Sequence, residues 1–373
     1  MKLFLVLADS PIKPCGGLGE RWKNLLRFMA DFEIYGVCLG QGGNIYNVHL
    51  EGIDEQSDYF FISHVLTKTA EKLLAKTSFK PDIVLSTDHF TVPTGWILSQ
   101  QFNATWIIEF NLALYSYQKQ YDPKKLHPSL AVYSDHINYL EKFASENADY
   151  VVTCSEYYKD ELPYKTKNWT PPKVICNGIN LSEFDVEVKK YEFPGECKHN
   201  LVFIGRLNTQ KGVRLLLDMK LPEDTALHFV GPMTGSDLFN EIIQLKPDTR
   251  KFYLGYKEGI EKVQILKSAD AVLFPSLHEP FGIVGLEIMA SKVPMITTLV
   301  GGIRSYASED ICIKCEPTVE SLEEAVHKLL SMSENEKKQM VEKAYEKVKQ
   351  FDWNNVAKEY VNFLQSVYDK NRH

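Results

Sequence analysis

Two cations and two acids carry most of the chemistry open to this chain. Arg206 and Lys211 stand in Gly205-Arg-Leu-Asn-Thr-Gln-Lys-Gly212, just after the apolar run Leu201 to Ile204. That places an arginine where a strand stops and a lysine where the next helix begins. A helix N-terminus carries positive potential, so cations there are disfavoured unless an anion is supplied from outside. A diphosphate fits, with the arginine as a forked donor and the lysine as a mobile point charge. Two solvated surface cations are the plainer alternative. The acids lie downstream in Ser276 to Glu287, SLHEPFGIVGLE. Glu279 follows the apolar run Ala271 to Pro275, and Pro280 holds it extended. Gly282 permits a turn that a Cβ resists, and a helix is expected from about Ile283. Glu287 then sits on that helix. The free N–H groups of the helix start suit phosphate, and carboxylates beside them can accept hydrogen bonds from sugar hydroxyls.

A second set of polar residues belongs to the first half of the chain. Gly16-Gly17-Leu18-Gly19 follows the first expected strand, with Lys13 ahead of it. It lacks the dinucleotide-binding glycine pattern but still offers close backbone approach at a helix start. Asp88 and His89 follow the run Asp82 to Ser86, and Glu109 and Asn111 follow Thr105 to Ile108. Tyr115, Tyr117, Lys119, Tyr121, Lys124, Lys125 and His127 lie in a segment whose aromatics suit stacking on sugar rings and whose cations suit a lipid phosphate or an anionic glycan, with an ordinary exposed loop as the plainer alternative.

The elements that must position these residues alternate. Strands are expected at Lys2 to Leu7, Ile34 to Leu39, Tyr59 to Ile62, Asp82 to Ser86, Thr105 to Glu109, Tyr150 to Cys154 and Lys173 to Cys176. Helices separate them, the pattern of a doubly wound parallel sheet. Residues 185–198 are charged and aperiodic and read as a linker. A second alternation follows, with strands at Leu201, Leu227, Phe252, Ala271, Pro294 and Ile311. The expected domains are thus 1–184, the linker 185–198, and 199–350. A C-terminal helix in 351–373, with Val356, Tyr360, Leu364 and Val367 on one face, is expected to pack back across the domain junction. Ligand between two such halves is the default for open α/β sheets.

Composition narrows the class. With 373 residues, 44% hydrophobic and 24% charged, two globular domains are expected. A net charge of -7 argues against a nucleic-acid partner. Seven scattered cysteines suit reduced thiols in a cytoplasmic protein, and Cys312-Ile-Lys-Cys315 lacks the second pair or histidine that zinc would need. Met1 to Ala8 reads as a buried strand rather than a signal peptide.

The motifs GRLNTQKG, HEPFGIVGLEIMAS and PMITTLVGG resemble those of retaining glycosyltransferases of the GT-B fold, family GT4, with bacterial glycogen and starch synthases as relatives. The resemblance runs from GGLG through CNGIN to the C-terminal helix and is more specific in the second half. It implies two Rossmann-like domains facing a central cleft. It implies that Arg206 and Lys211 hold a donor diphosphate and that Glu279 lies against the donor sugar. Glu287 would bind the nucleotide ribose. Backbone groups of Phe281, Gly282, Ile283 and Val284 would contact sugar and phosphate, Gly16 and Gly17 would close on the diphosphate, and Gly231 and Tyr256 would border the base. Phe110 stands where glycogen synthases have a histidine, with Glu109 or His89 as the candidates to replace it. Asp88 and Asn111 join them as candidate sugar or acceptor contacts. Lys292 stands for a usual glycine, and Ser305 for a usual glutamate.

The implied reaction moves a hexose from a UDP, GDP or ADP sugar to a glycan, lipid-linked or small-molecule hydroxyl, in some cases at a membrane surface. No D-x-D occurs, so no metal clamp and no cofactor are expected. Arg206 and Lys211 would stabilise the leaving group instead. A nucleotide-sugar epimerase and a non-catalytic nucleotide-sugar-binding protein are the alternatives from other classes.

Overall fold

A computed structural model describes residues 1–14, 16–53, 59–112, 128–162, 166–167, 171–233, 237–246 and 249–371, without the side chains of 59–60, 128–133 and 161. The chain forms two compact units, Met1–Asn177 with Trp353–His373, and Gly178–Asp352.

The first unit is built on an eight-stranded sheet. Its strands are β1 (Lys2–Leu7), β2 (Glu33–Leu39), β3 (Gly43–Ile45), β4 (Val48–Ile53), β5 (Ile83–Thr87), β6 (Thr105–Phe110), β7 (Tyr150–Thr153) and β8 (Lys173–Val174). They lie in the order β3-β4-β2-β1-β5-β6-β7-β8. All pairs are parallel except the β3–β4 hairpin. The inner strands are continuous apolar runs because helices cover both faces. Helices α1 (Gly17–Leu26), α2 (Tyr59–Thr77), α3 (Val92–Phe102), α4 (Pro128–Asn147) and α5 (Glu156–Glu161) connect them.

Residues 59–62, expected as a strand, are instead the first turn of α2. Ile62, Leu66, Ala70, Leu73 and Leu74 are buried at helical spacing, and one helix-long stripe outweighs the local β propensity of Tyr-Phe-Phe-Ile. The strand actually follows β2 more closely, as the short hairpin β3–β4.

The second unit carries a six-stranded, wholly parallel sheet in the order β11-β10-β9-β12-β13-β14. Its strands are β9 (His199–Ile204), β10 (Thr225–Val230), β11 (Lys251–Tyr253), β12 (Ala271–Phe274), β13 (Met295–Thr297) and β14 (Ile313–Lys314). Helices α6 (Val213–Asp218), α7 (Phe239–Ile243), α8 (Gly259–Ser268), α9 (Ile283–Ala290), α10 (Val319–Ser331) and α11 (Glu334–Val348) pack around it. Lys292, with φ of 56°, ends α9 in the left-handed conformation that a glycine usually supplies, and its ammonium lies 3.8 Å from the Tyr345 ring centroid. Cation–π contact offsets the backbone strain there. Cys312 and Cys315 are buried, and burial pushes each thiol up to about 12, which leaves them unreactive.

The segment read as a linker is instead part of this unit. Tyr191 N–H donates to Ser268 Oγ at 2.8 Å, and Phe193 stacks on His228 with centroids 4.5 Å apart. Lys267 Nζ reaches Val186 O at 2.7 Å. Charge and aperiodicity mark this stretch as an irregular strap, and its two aromatics anchor it. The chain passes between units at 177–178 and 352–353.

The C-terminal helix α12 (Trp353–Lys370) completes the first unit's core, where Trp353, Val356, Tyr360, Leu364 and Val367 join Leu3, Leu5, Trp22 and Leu25. Beneath it lies a buried polar cluster. Arg21 donates from Nε to Glu109 Oε1 at 2.9 Å, from Nη1 to Cys176 O at 2.7 Å and Asn177 Oδ1 at 3.1 Å, and from Nη2 to Ile175 O at 2.9 Å. Tyr360 donates to the other oxygen of Glu109. One guanidinium thus ties α1, β6, the end of β8 and α12 together, with no solvent exposure at Arg21 or Glu109. Among the described residues, no helix is long and apolar enough to cross a membrane.

Arg21→Met leaves the Glu109 carboxylate buried without its cation. Urea unfolding should show a loss of about 3–5 kcal/mol. Glu359→Ala, which removes the exposed partner of Lys173, should change stability by less than about 1 kcal/mol. Equal effects would contradict the structural role given to Arg21.

Candidate active site

In the second unit the order of strands reverses between β9 and β12, and ligands of open α/β sheets bind beyond the carboxyl ends of strands at such a point. Arg206 leaves the end of β9, and Ser276 to Glu279 leave the end of β12. The sequence therefore delivers both cations and the first acid to the place that topology favours.

Close packing holds the two strand exits together. Leu277 N–H donates to Gln210 O at 2.9 Å. Gly212 adopts φ of 74° at the start of α6, and a Cβ there would lie 2.0 Å from Pro275 O. Asn208 Oδ1 accepts from Lys211 N–H at 3.1 Å, and Thr209 donates from N–H and hydroxyl to Asp237. Lys211 is thus carried on a capped turn. Its ammonium lies 2.5 Å from Glu279 Oε2, and Ser276 Oγ donates to the same oxygen at 3.3 Å. Both partners are largely buried, with side-chain exposures of 16% for Lys211 and 8% for Glu279. Arg206, just past the end of β9, is exposed, with no ion pair among the described residues.

The Glu279 backbone is fixed from behind by the double glycine. Gly302 N–H donates to Glu279 O at 2.8 Å. A Cβ on Gly301 would lie 2.3 Å from Glu279 O, and one on Gly302 would lie 1.9 Å from Pro280 O. Gly282, with φ of 86°, turns the chain into α9, and its carbonyl accepts from the buried Tyr306 hydroxyl at 2.7 Å. The Phe281 ring packs against Tyr306 and Phe351, so only its backbone can face a ligand. Ile283 and Val284 begin α9, and N–H groups of a first helical turn have no intrahelical acceptor.

Glu287, one turn further along, accepts from Lys262 Nζ at 2.8 Å. Burial alone would pull the Lys262 ammonium down, but Glu287, Glu183 and Tyr256 together raise it above its ordinary value. Gly231, with φ of 144°, lies against Gly205 O, where a Cβ would stand 1.9 Å away. Tyr256 is exposed, and its hydroxyl donates to Glu258 Oε2 at 3.0 Å. Lys262 and Tyr306 were not legible as site residues, since a helix lysine among acids reads as surface charge and a distant tyrosine carries no spacing signal.

The first unit has its own switch point, between β1 and β5. There the glycine loop is occupied from within. Asp9 accepts from Ser10 N–H at 2.8 Å, Gly16 N–H at 3.1 Å and Gly19 N–H at 2.9 Å. Gly16 was one of the two expected diphosphate contacts, and its N–H is taken by this carboxylate. Gly17 begins α1. Asp88 sits at φ 54° and ψ 178°, a backbone region costly for any side chain. Its Oδ1 accepts from Asn111 N–H at 2.9 Å and Leu112 N–H at 3.3 Å. Burial outweighs these bonds, with Glu109 and Asp9 adding to it, and lifts the carboxyl to about 7.

His89 is buried, and burial with help from His136 lowers it to about 3, so it is a neutral imidazole. Glu109 cannot take the place of a catalytic histidine. Both its oxygens are engaged inside the unit, by Arg21, Tyr360 and the Asn111 amide at 2.6 Å. Phe110 is wholly buried. Tyr115 to His127 lie outside the described residues.

Known proteins resemble this chain in sequence and in fold. Residues 187–347 match the family model described as glycosyl transferases group 1, and residues 21–168 match the starch synthase catalytic domain. The chain is 30% identical over 259 residues to an uncharacterised glycosyltransferase of Methanocaldococcus jannaschii, covering 62% of this chain and 64% of that one, so it spans less than two thirds of that relative. In fold it resembles sucrose-phosphate synthase from Thermosynechococcus elongatus, with a TM-score of 0.81, 18% identity, and coverage of 99% and 100% of the two chains. It also resembles Anabaena HepE in complex with UDP-glucose, with a TM-score of 0.75, 17% identity, and coverage of 98% and 99%.

Two measurements check the site's construction. Between about pH 4 and pH 7 the folded chain holds a proton on Asp88 that the unfolded chain has released. This group's contribution to stability therefore falls as pH rises through that window, by at most about 1.4 kcal/mol per unit. Asp88→Asn should flatten that slope in urea unfolding measured from pH 5 to pH 8; an unchanged slope would contradict the assignment. Gly302→Ala should destabilise the protein by about 1–3 kcal/mol in urea unfolding, because the added Cβ would lie 1.9 Å from Pro280 O; wild-type stability would show that this close backbone approach is not required.

Proposed function

We propose that this chain, which carries glycosyl transferase group 1 and starch synthase domains on a GT-B fold, is a retaining hexosyltransferase. It would use a nucleoside-diphosphate sugar and need no metal. The observation that carries this reading is the Lys211–Glu279 pair at the β9/β12 switch point, with Arg206 exposed just past the end of β9. A hydrolase with paired carboxylates would have no use for two cations at that position. A bound diphosphate would give Lys211 a second, doubly charged partner. The lysine swings to phosphate, and the released Glu279 carboxylate accepts from hydroxyls of the donor sugar.

The chemistry then follows from charge. As the bond from the sugar's anomeric carbon to phosphate oxygen breaks, negative charge collects on the diphosphate. Arg206, Lys211 and the N–H groups at the start of α9 stabilise it. The acceptor hydroxyl bonds to the anomeric carbon from the face the phosphate leaves, and a phosphate oxygen takes its proton. Configuration is retained without a carboxylate nucleophile. A uridine nucleotide is favoured because HepE, a structural neighbour, was solved with UDP-glucose. A glycan, a lipid-linked sugar and a small molecule all remain candidate acceptors. Asp88 and Asn111 are candidate contacts for an acceptor.

Arg206→Ala and Lys211→Ala should each lower kcat by about 100- to 1,000-fold, the usual cost of one donor to a developing anion. The rate with excess EDTA should match that without it. Near-normal turnover in both variants would overturn the leaving-group assignment, and loss of activity in EDTA would overturn metal independence. Release of free nucleotide without any acceptor would favour an epimerase.

A further inference from the structure

We propose that Lys262 is a positioning residue for the nucleotide, one that fixes Glu287 in the orientation that reads a ribose diol. The inference rests on the reading of Glu287 as the ribose acceptor and adds to it a residue that no motif identifies. Three lysines are spaced along α8 and its entry. Lys257 pairs with Glu261 on the same helical surface, and Lys267 binds the Val186 carbonyl of the strap. Only Lys262 reaches the carboxylate of another element, bridging α8 to the second turn of α9. The pair is sheltered, with side-chain exposures of 24% for Lys262 and 16% for Glu287.

Two physical consequences follow. A glutamate side chain has three rotatable bonds, and ordering it at the moment of binding subtracts from affinity. Lys262 holds Oε1 beforehand, which leaves Oε2 and the second lone pair of Oε1 for two vicinal hydroxyls. Lys262 also alters the charge balance. Glu279 and Glu287 place two negative charges in a site meant for a diphosphate. Arg206 and Lys211 offset them, and Lys262 adds a third cation. The contact is far from the bond that breaks, so its effect belongs to nucleotide binding.

The experiment is calorimetric titration with UDP, GDP and ADP, followed by the 2′-deoxy form of whichever binds. The proteins are wild type, Lys262→Met, Lys262→Arg and Glu287→Gln. Wild type should prefer the ribonucleotide by about 10-fold, the equivalent of about 1.4 kcal/mol. Lys262→Met should bind it about 10-fold more weakly and lose most of that preference, and Lys262→Arg should keep most of both. A purely structural lysine would lower the melting temperature and leave the ribose preference unchanged, which overturns the proposal. If Glu287→Gln loses the preference while Lys262→Met keeps it, Lys262 alone is misassigned. If Glu287→Gln also keeps it, the ribose reading of Glu287 fails first.

Discussion

Opposite charges brought together at the ends of two parallel strands are the constraint on which the second unit's chemistry depends. An ammonium and a carboxylate this sheltered are costly to strip of water, and their mutual attraction must offset that cost. Lys211 and Glu279 meet the requirement at 2.5 Å, with Ser276 supplying a further hydrogen bond. Such a pair is stable yet exchangeable, because either charge can take another partner of the same sign. A diphosphate is a stronger partner for the lysine than one carboxylate, and sugar hydroxyls are suitable donors for the carboxylate thus released. In the proposed reaction this one interaction would couple leaving-group binding to sugar binding.

The pair needs a rigid frame, and backbone contacts that exclude a Cβ provide it. Gly212 lies on Pro275, Gly231 on Gly205, and Gly301 and Gly302 on Glu279 and Pro280. These approaches draw the exits of neighbouring strands to distances that side chains would prevent. The first unit solves the same problem with charge. Arg21 binds the end of β8 and Glu109, and Asp9 gathers the N–H groups of the glycine loop. Both units carry polar groups at strand ends, but the second leaves Arg206 exposed while the first turns Arg21 inward.

This contrast explains what the sequence revealed. Strand ends with glycine and charge, such as GRLNTQKG and HEPFG, were legible as turns leaving strands because each is built from neighbouring residues. The helix start at Ile283 and the parallel sheet followed from the same local signals. The function of Glu109 was not legible, because Arg21 is 88 residues and Tyr360 251 residues away in sequence. Asp9 was not legible as the acceptor of the Gly16 and Gly19 N–H groups, because it lies seven and ten residues away. The first turn of α2 misled because four β-prone residues outweighed a stripe that only emerges over several turns. The strap at 185–198 misled because charged, aperiodic sequence describes a packed irregular segment as well as a linker.

The measurement that tests the central claim most directly is a crystal structure of the protein with the nucleoside diphosphate it binds. The account predicts Lys211 Nζ about 3 Å from a phosphate oxygen and no longer paired with Glu279, with Arg206 on the same diphosphate. A diphosphate bound elsewhere, with the Lys211–Glu279 pair intact, would contradict it.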